Sequence, residues 1–78
     1  MQVTYSRTAT KDLRKMPAKD RTALMDKLDT YAATGAGDVK ALQGRAGFRL
    51  RHGQWRAIFD INGDIVVVRI AHRREVYK

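Results

Sequence analysis

The side chains with most to offer chemically in this sequence are arginines. Arg45, Arg49, Arg51, Arg56, Arg69, Arg73 and Arg74 all lie beyond Gly44, where eight basic side chains meet three acidic ones; the residues up to Gly44 hold eight against five. A guanidinium stays charged at any physiological pH, and its planar fork meets a phosphate or carboxylate with two parallel hydrogen bonds. Anion recognition is therefore the first chemistry to consider. Other chemistries find little footing. There is no cysteine, and the two histidines, His52 and His72, lack the H-E-x-x-H or Cys/His spacing of a metal site. Ser6, the one serine, has no G-x-S-x-G surroundings. Gly35-Ala36-Gly37 is not followed by the Gly-Lys-Ser/Thr of a phosphate loop. Neither a metal nor a cofactor is expected.

The elements that must position these arginines can be read from hydrophobic periodicity. Val3 and Tyr5 alternate with polar neighbours and predict a short first strand. Thr8 offers a hydroxyl N-cap, and Ala9, Leu13 and Met16 share one helical face up to Pro17. Leu24, Leu28, Tyr31 and Ala32 give a second amphipathic helix over Lys19 to Thr34, stopped by the Gly35–Asp38 segment. The period then changes to two. Phe48 and Leu50 alternate with Arg49 and Arg51, Trp55, Ala57, Phe59 and Ile61 with Arg56, Ile58 and Asp60, and Ile65 to Ala71 is nearly continuous. Asn62-Gly63 predicts a two-residue type I′ turn, and His52-Gly53 a second two-residue turn. The expected fold is α+β, β-α-α-β-β-β, with two N-terminal helices on one face of a small antiparallel sheet and a single domain over residues 1–78.

Those turns fix a register. Asn62-Gly63 pairs Phe59 with Val66, Ala57 with Val68 and Arg56 with Arg69, while His52-Gly53 pairs Leu50 with Trp55 and Arg49 with Arg56. One side then collects Phe48, Leu50, Trp55, Ala57, Phe59, Val66, Val68 and Ile70 for the helices. The other collects Arg49, Arg56 and Arg69 in a row, flanked by Arg51 and Arg73. Like charges facing each other destabilise a sheet by up to about 1 kcal/mol per pair, so an anionic ligand would relieve such a row. A solvated basic face kept for solubility is the plainer alternative. His52 reads as a turn residue and Trp55 as core packing. His72 is either a base held neutral among cations or a structural side chain on the helix side. Tyr77 either pairs in a final strand or stacks on a nucleobase.

The stretch Gly47-Phe48-Arg49-Leu50-Arg51-His52-Gly53-Gln54-Trp55-Arg56-Ala57-Ile58-Phe59, followed by Ile65 to Tyr77 with its His72-Arg73-Arg74-Glu75-Val76-Tyr77 ending, resembles the RelE branch of the RelE/ParE toxin superfamily. Val39-Lys40-Ala41-Leu42-Gln43-Gly44 is similar to the segment that precedes it there. The resemblance implies the microbial-RNase-like RelE/ParE fold and a type II toxin that cleaves mRNA in the ribosomal A site without a metal. It implies Arg56 on the scissile phosphate, Arg49 and Arg51 on the RNA backbone and beside the attacking 2′-hydroxyl, and Arg73 at the leaving group. Tyr77 would stack on or orient the base and His72 would move a proton; Arg45, Arg69 and Arg74 complete the RNA-binding set. A ParE-like inhibitor of DNA gyrase and an inactive partner-binding member are the alternatives.

A formal charge of +8 on 78 residues suits these polyanionic partners, and an acidic antitoxin in a toxin–antitoxin hetero-oligomer. So short a chain buries only about 60 to 65% of its unfolded surface, and no disulfide supplements that core. The longest apolar run, Ile65 to Val68, is far below the roughly 20 residues of a membrane span. A cytoplasmic protein of a bacterium or archaeon, with no membrane partner, is expected.

Overall fold

Residues 1–73 are described by a computed structural model. Their elements are β1 (Val3–Tyr5), α1 (Arg7–Arg14), α2 (Ala18–Thr34), β2 (Val39–Ala41), β3 (Phe48–His52), β4 (Trp55–Asn62) and β5 (Asp64–His72). The strands form one five-stranded sheet in the order β1-β5-β4-β3-β2. The α+β class and the two helices match the expectation, whereas the sheet is mixed rather than antiparallel. β1 runs parallel to β5 through Val3↔Ile65 and Tyr5↔Val67. The helices and three further strands intervene between them, and that length of chain supplies the crossover a parallel pair needs. β2 is the added strand, pairing Val39, Lys40 and Ala41 with Leu50, Arg49 and Phe48. Three residues are too few for alternation to announce.

Both hairpins differ from the expected turns. Gly53-Gln54, not His52-Gly53, forms the β3–β4 loop, so His52 pairs with Trp55 and Arg51 with Arg56. Gly53 has φ +56, as the first central position of a type II′ turn requires. No non-glycine residue among those described has positive φ, so Asn62 cannot share a type I′ turn; it stays in β4 opposite Asp64, with Gly63 at φ +74 between them. A second irregularity lies between Ile58 and Phe59, where Phe59 pairs with Val67 but Ile58 with Arg69, leaving Val68 as a bulge. The helix-facing residues of β5 are consequently Ile65, Val67 and Ile70, not Val66, Val68 and Ile70.

Helix α1 begins at Ser6 rather than Thr8. The Ser6 Oγ accepts from the Ala9 N–H at 3.0 Å and donates to the bulged Val68 carbonyl at 3.0 Å. α2 ends on Gly35, whose N–H donates to the Tyr31 carbonyl. Ala9, Leu13, Met16, Leu24 and Leu28 close over Leu50, Ala57, Phe59, Ile65, Val67 and Ile70 to make the core. Phe59 is its centre, fully buried between Phe48 and Tyr31 at centroid distances of 5.7 and 5.8 Å. Trp55 packs against this core from its margin, as expected. No helix among the described residues is long and apolar enough to cross a membrane.

Tyr5, packed against the core from β1, carries a measurable signature of this burial. Its phenol is pushed up from 10.0 to about 12, first by desolvation and then by the negative charge of Asp29. The fold thus favours the protonated phenol. Its contribution to stability is complete below pH 10 and is lost as pH rises towards about 12, because the unfolded chain ionises first. Tyr5→Phe removes that dependence. Urea midpoints measured across this alkaline window should fall less steeply for the variant than for the parent.

Candidate functional site

The pleat sorts β3, β4 and β5 into two faces. With Leu50, Ala57 and Ile70 directed to the helices, Arg49, Arg51, Arg56 and Arg69 take the other face. The four are brought together as expected, but not in the expected row. Arg51 stands directly opposite Arg56, with Ala71 beyond; Arg49 faces Ile58, and Ile58 faces Arg69. Lys40 of β2 stands opposite Arg49 on the far side. Sequence reasoning did not single out Lys40, because its placement depends on a strand too short to read.

Depth and partners distinguish these cations. Arg56 is the buried one, 6% exposed, at the floor of the face. A guanidinium at that depth acts through a lower effective dielectric than one in open water, which strengthens its pull on an anion. Arg49 is half-buried, and its Nη1 is buried without a hydrogen-bond acceptor among the described residues. A donor left in that state is one that an anionic oxygen would satisfy. Arg51 lies on β3 just beyond its pairing with β2, where its Nε is 3.3 Å from the Asp38 Oδ2 and its backbone N–H donates to the Asp38 carbonyl. The Nε of Arg69 is 3.9 Å from the Asp12 Oδ2. That carboxylate accepts from the Ile70 N–H at 2.8 Å, closing the edge of β5 beyond the end of β1.

The remaining candidates are dispersed. Arg45 is exposed in the connection between β2 and β3. Arg73 is exposed just past β5, its N–H donating to the Gln54 carbonyl at 2.6 Å. His72 pairs with Trp55 and meets its ring edge-on at a centroid distance of 5.1 Å, so the pleat sets it on the helix side, across the sheet from the arginines. His52 is the last residue of β3, not a turn residue, and its Nε2 is 3.3 Å from Asp20 of α2. Arg74 and Tyr77 lie outside the described residues.

A cleft of about 340 Å³ between α2 and the 36–38 loop, lined by Lys27, Thr30, Asp38 and Leu50 among others, is reached by Arg51 alone of the candidates among the described residues. Among the described residues, no three histidine or carboxylate side chains gather as a metal would need. The arrangement thus offers, among the described residues, a charged sheet face whose guanidinium groups can meet an extended polyanion.

Comparison with known proteins agrees with the architecture. The family described as the ParE toxin of the type II toxin–antitoxin system, parDE, matches residues 3–77. The toxin–antitoxin complex RelBE2 of Mycobacterium tuberculosis has a similar chain, 27% identical, with a TM-score of 0.74 over 92% of this chain and 96% of that one. The RelB–RelE antitoxin–toxin complex of Methanococcus jannaschii gives 24% identity and a TM-score of 0.80 over 96% and 95%. YafQ of E. coli gives 15% and 0.68 over 99% and 98%. No curated protein gives a match.

The Arg51–Asp38 pair is exposed, and such pairs contribute about 0.2 to 1 kcal/mol. Asp38→Asn should therefore strengthen binding to a heparin column, with an affinity gain of no more than about fivefold. Asp26→Asn, which makes the same charge change on α2, should shift elution less.

Proposed function

Because the chain belongs to the ParE toxin family of type II toxin–antitoxin systems, we propose that it is a toxin acting as a metal-independent endoribonuclease on mRNA at the ribosome. The observation that carries this reading is the shared face of Arg49, Arg51, Arg56 and Arg69, with Arg51 directly opposite Arg56. Like charges at that spacing oppose the fold and favour a bound polyanion. The fold likeness to RelE and YafQ chains supports the same direction.

In this reading the 2′-oxygen of one nucleotide attacks the adjacent phosphorus, the bond to the 5′-oxygen of the next nucleotide breaks, and a 2′,3′-cyclic phosphate and a 5′-hydroxyl result. The proton of the 2′-hydroxyl leaves to solvent or a neighbouring base, and the departing 5′-oxygen takes one up. Arg56, the deepest cation, holds the non-bridging oxygens as negative charge grows on them. Arg49 and Arg51 hold the backbone beside the reacting phosphate, and Arg69 extends the contact. Arg73 and Tyr77 serve the leaving group and the flanking base, with Arg45 and Arg74 as outlying phosphate contacts. An arginine is already protonated at physiological pH and has no lone pair to take the 2′ proton, so acceleration comes chiefly from charge stabilisation and orientation. We assign His72, held against Trp55, to support of the strand end rather than to proton transfer.

The basic face also fits an acidic antitoxin that covers it in a hetero-oligomer, as the RelB–RelE complexes among the neighbours suggest. Toxin and target would then meet in the cytoplasm. The match to the ParE toxin family keeps open a second reading, the ParE-like inhibition of DNA gyrase that the sequence resemblance implies. Arg56→Ala should lower mRNA cleavage on programmed ribosomes by about 10²- to 10³-fold while leaving the circular dichroism spectrum unchanged, and mapped 5′ ends should carry a hydroxyl and follow the translated frame. Unchanged cleavage in that variant would reject the nuclease site. Inhibition of supercoiling by purified gyrase, without RNA cleavage, would select the second reading.

A further inference from the structure

We infer that the RNA backbone crosses the sheet at right angles to its strands and that Lys40 on β2 holds a phosphate beyond the reacting one. This rests on the nuclease reading and extends its site by one strand. Lys40, Arg49, Ile58 and Arg69 are successive partners across β2, β3, β4 and β5. Neighbouring strands lie about 4.8 Å apart, so the row spans about 14 Å, room for more than one nucleotide.

Within this row, Arg69 has the carboxylate of Asp12 nearby, whereas Lys40 and Arg49 have no ion-pair partner among the described residues. Two cations stand directly opposite each other across an antiparallel pair, an arrangement that costs stability unless something anionic lies between or above them. Lys40 is exposed on the edge strand, while Arg49 keeps a buried Nη1 with no hydrogen-bond acceptor among the described residues. Ile58, half-buried between Arg49 and Arg69, gives an apolar patch on which a ribose or base can rest between two phosphate contacts. The next pair towards the β4–β5 hairpin bounds the path. There Asp60 faces Val66, and an exposed carboxylate repels a phosphate backbone. A single strand is therefore guided along the lysine–arginine row and away from the hairpin.

The test measures binding of the full chain to a fluorescently labelled oligouridylate over a sodium chloride series, together with the kinetics of mRNA cleavage on programmed ribosomes. Each phosphate contact on single-stranded nucleic acid contributes about 0.7 to the slope of log affinity against log salt. Lys40→Ala should reduce that slope by about 0.7 and raise KM for cleavage while kcat stays at the parental value. Lys19→Ala, an exposed cation on α2, should change neither. A parental slope and KM in Lys40→Ala overturn the extended path alone. A parent protein that neither binds nor cuts RNA overturns the nuclease reading as well. Weakened binding of an acidic antitoxin peptide with an unaltered RNA slope assigns Lys40 to that partner and overturns the proposal.

Discussion

The bulge at Val68 is the constraint on which the rest of the structure depends. Without it, strict alternation from Ile65 and Val67 would carry Arg69 to the helix side and Ile70 to the outside. An unpaired guanidinium in so small a core costs several kcal/mol, and the core would also lose a fully buried isoleucine. One extra residue resets the phase, so Ile70 enters the core and Arg69 joins the arginine face. The irregular backbone is then satisfied from α1. Ser6 bonds the Val68 carbonyl while capping the helix, and Asp12 accepts from the Ile70 N–H where β1 no longer covers the edge. Helix start, bulge and charged face form one cooperative unit.

A consequence is that the apolar core and the charged face share few residues. The helix side carries the apolar burial, centred on Phe59, and the opposite side carries the charge. Arg56 is the exception, a cation buried to 6% exposure on the charged side. The carboxylates at the sheet margins, Asp38 on Arg51 and Asp12 near Arg69, moderate the repulsion that a bare arginine face would impose. Arg49 and Lys40 are left with more charge to offer a partner.

The shared face of Arg49, Arg51, Arg56 and Arg69 was legible in the sequence even though the register was not. The β3–β4 register differs from the expected one by two residues, because the loop is Gly53-Gln54. In the β4–β5 pair, one residue of difference comes from the hairpin and another from the bulge, so Arg56 meets Ala71 instead of Arg69. Shifts of two preserve parity, and the face a side chain occupies depends only on parity. For Val66 and Val68, which lie before the second shift, parity is reversed, and these were the core positions misread. A uniformly β-branched run such as Ile65–Val68 contains no polar marker to say which residues point inward.

The sequence by itself determined the two helices, the long strands, the absence of cysteine chemistry and the concentration of arginine beyond Gly44, because periodicity and composition are local properties. It also carried the likeness to the RelE/ParE toxins. The tertiary structure alone decided that β1 runs parallel to β5, that Val39–Ala41 forms a strand bringing Lys40 beside Arg49, and that His72, for which the sequence left two settings open, meets the ring of Trp55. Each of those is a pairing between segments distant in the chain. Such pairings are set by which arrangement buries the core and satisfies the backbone of β5, and no local pattern encodes that choice.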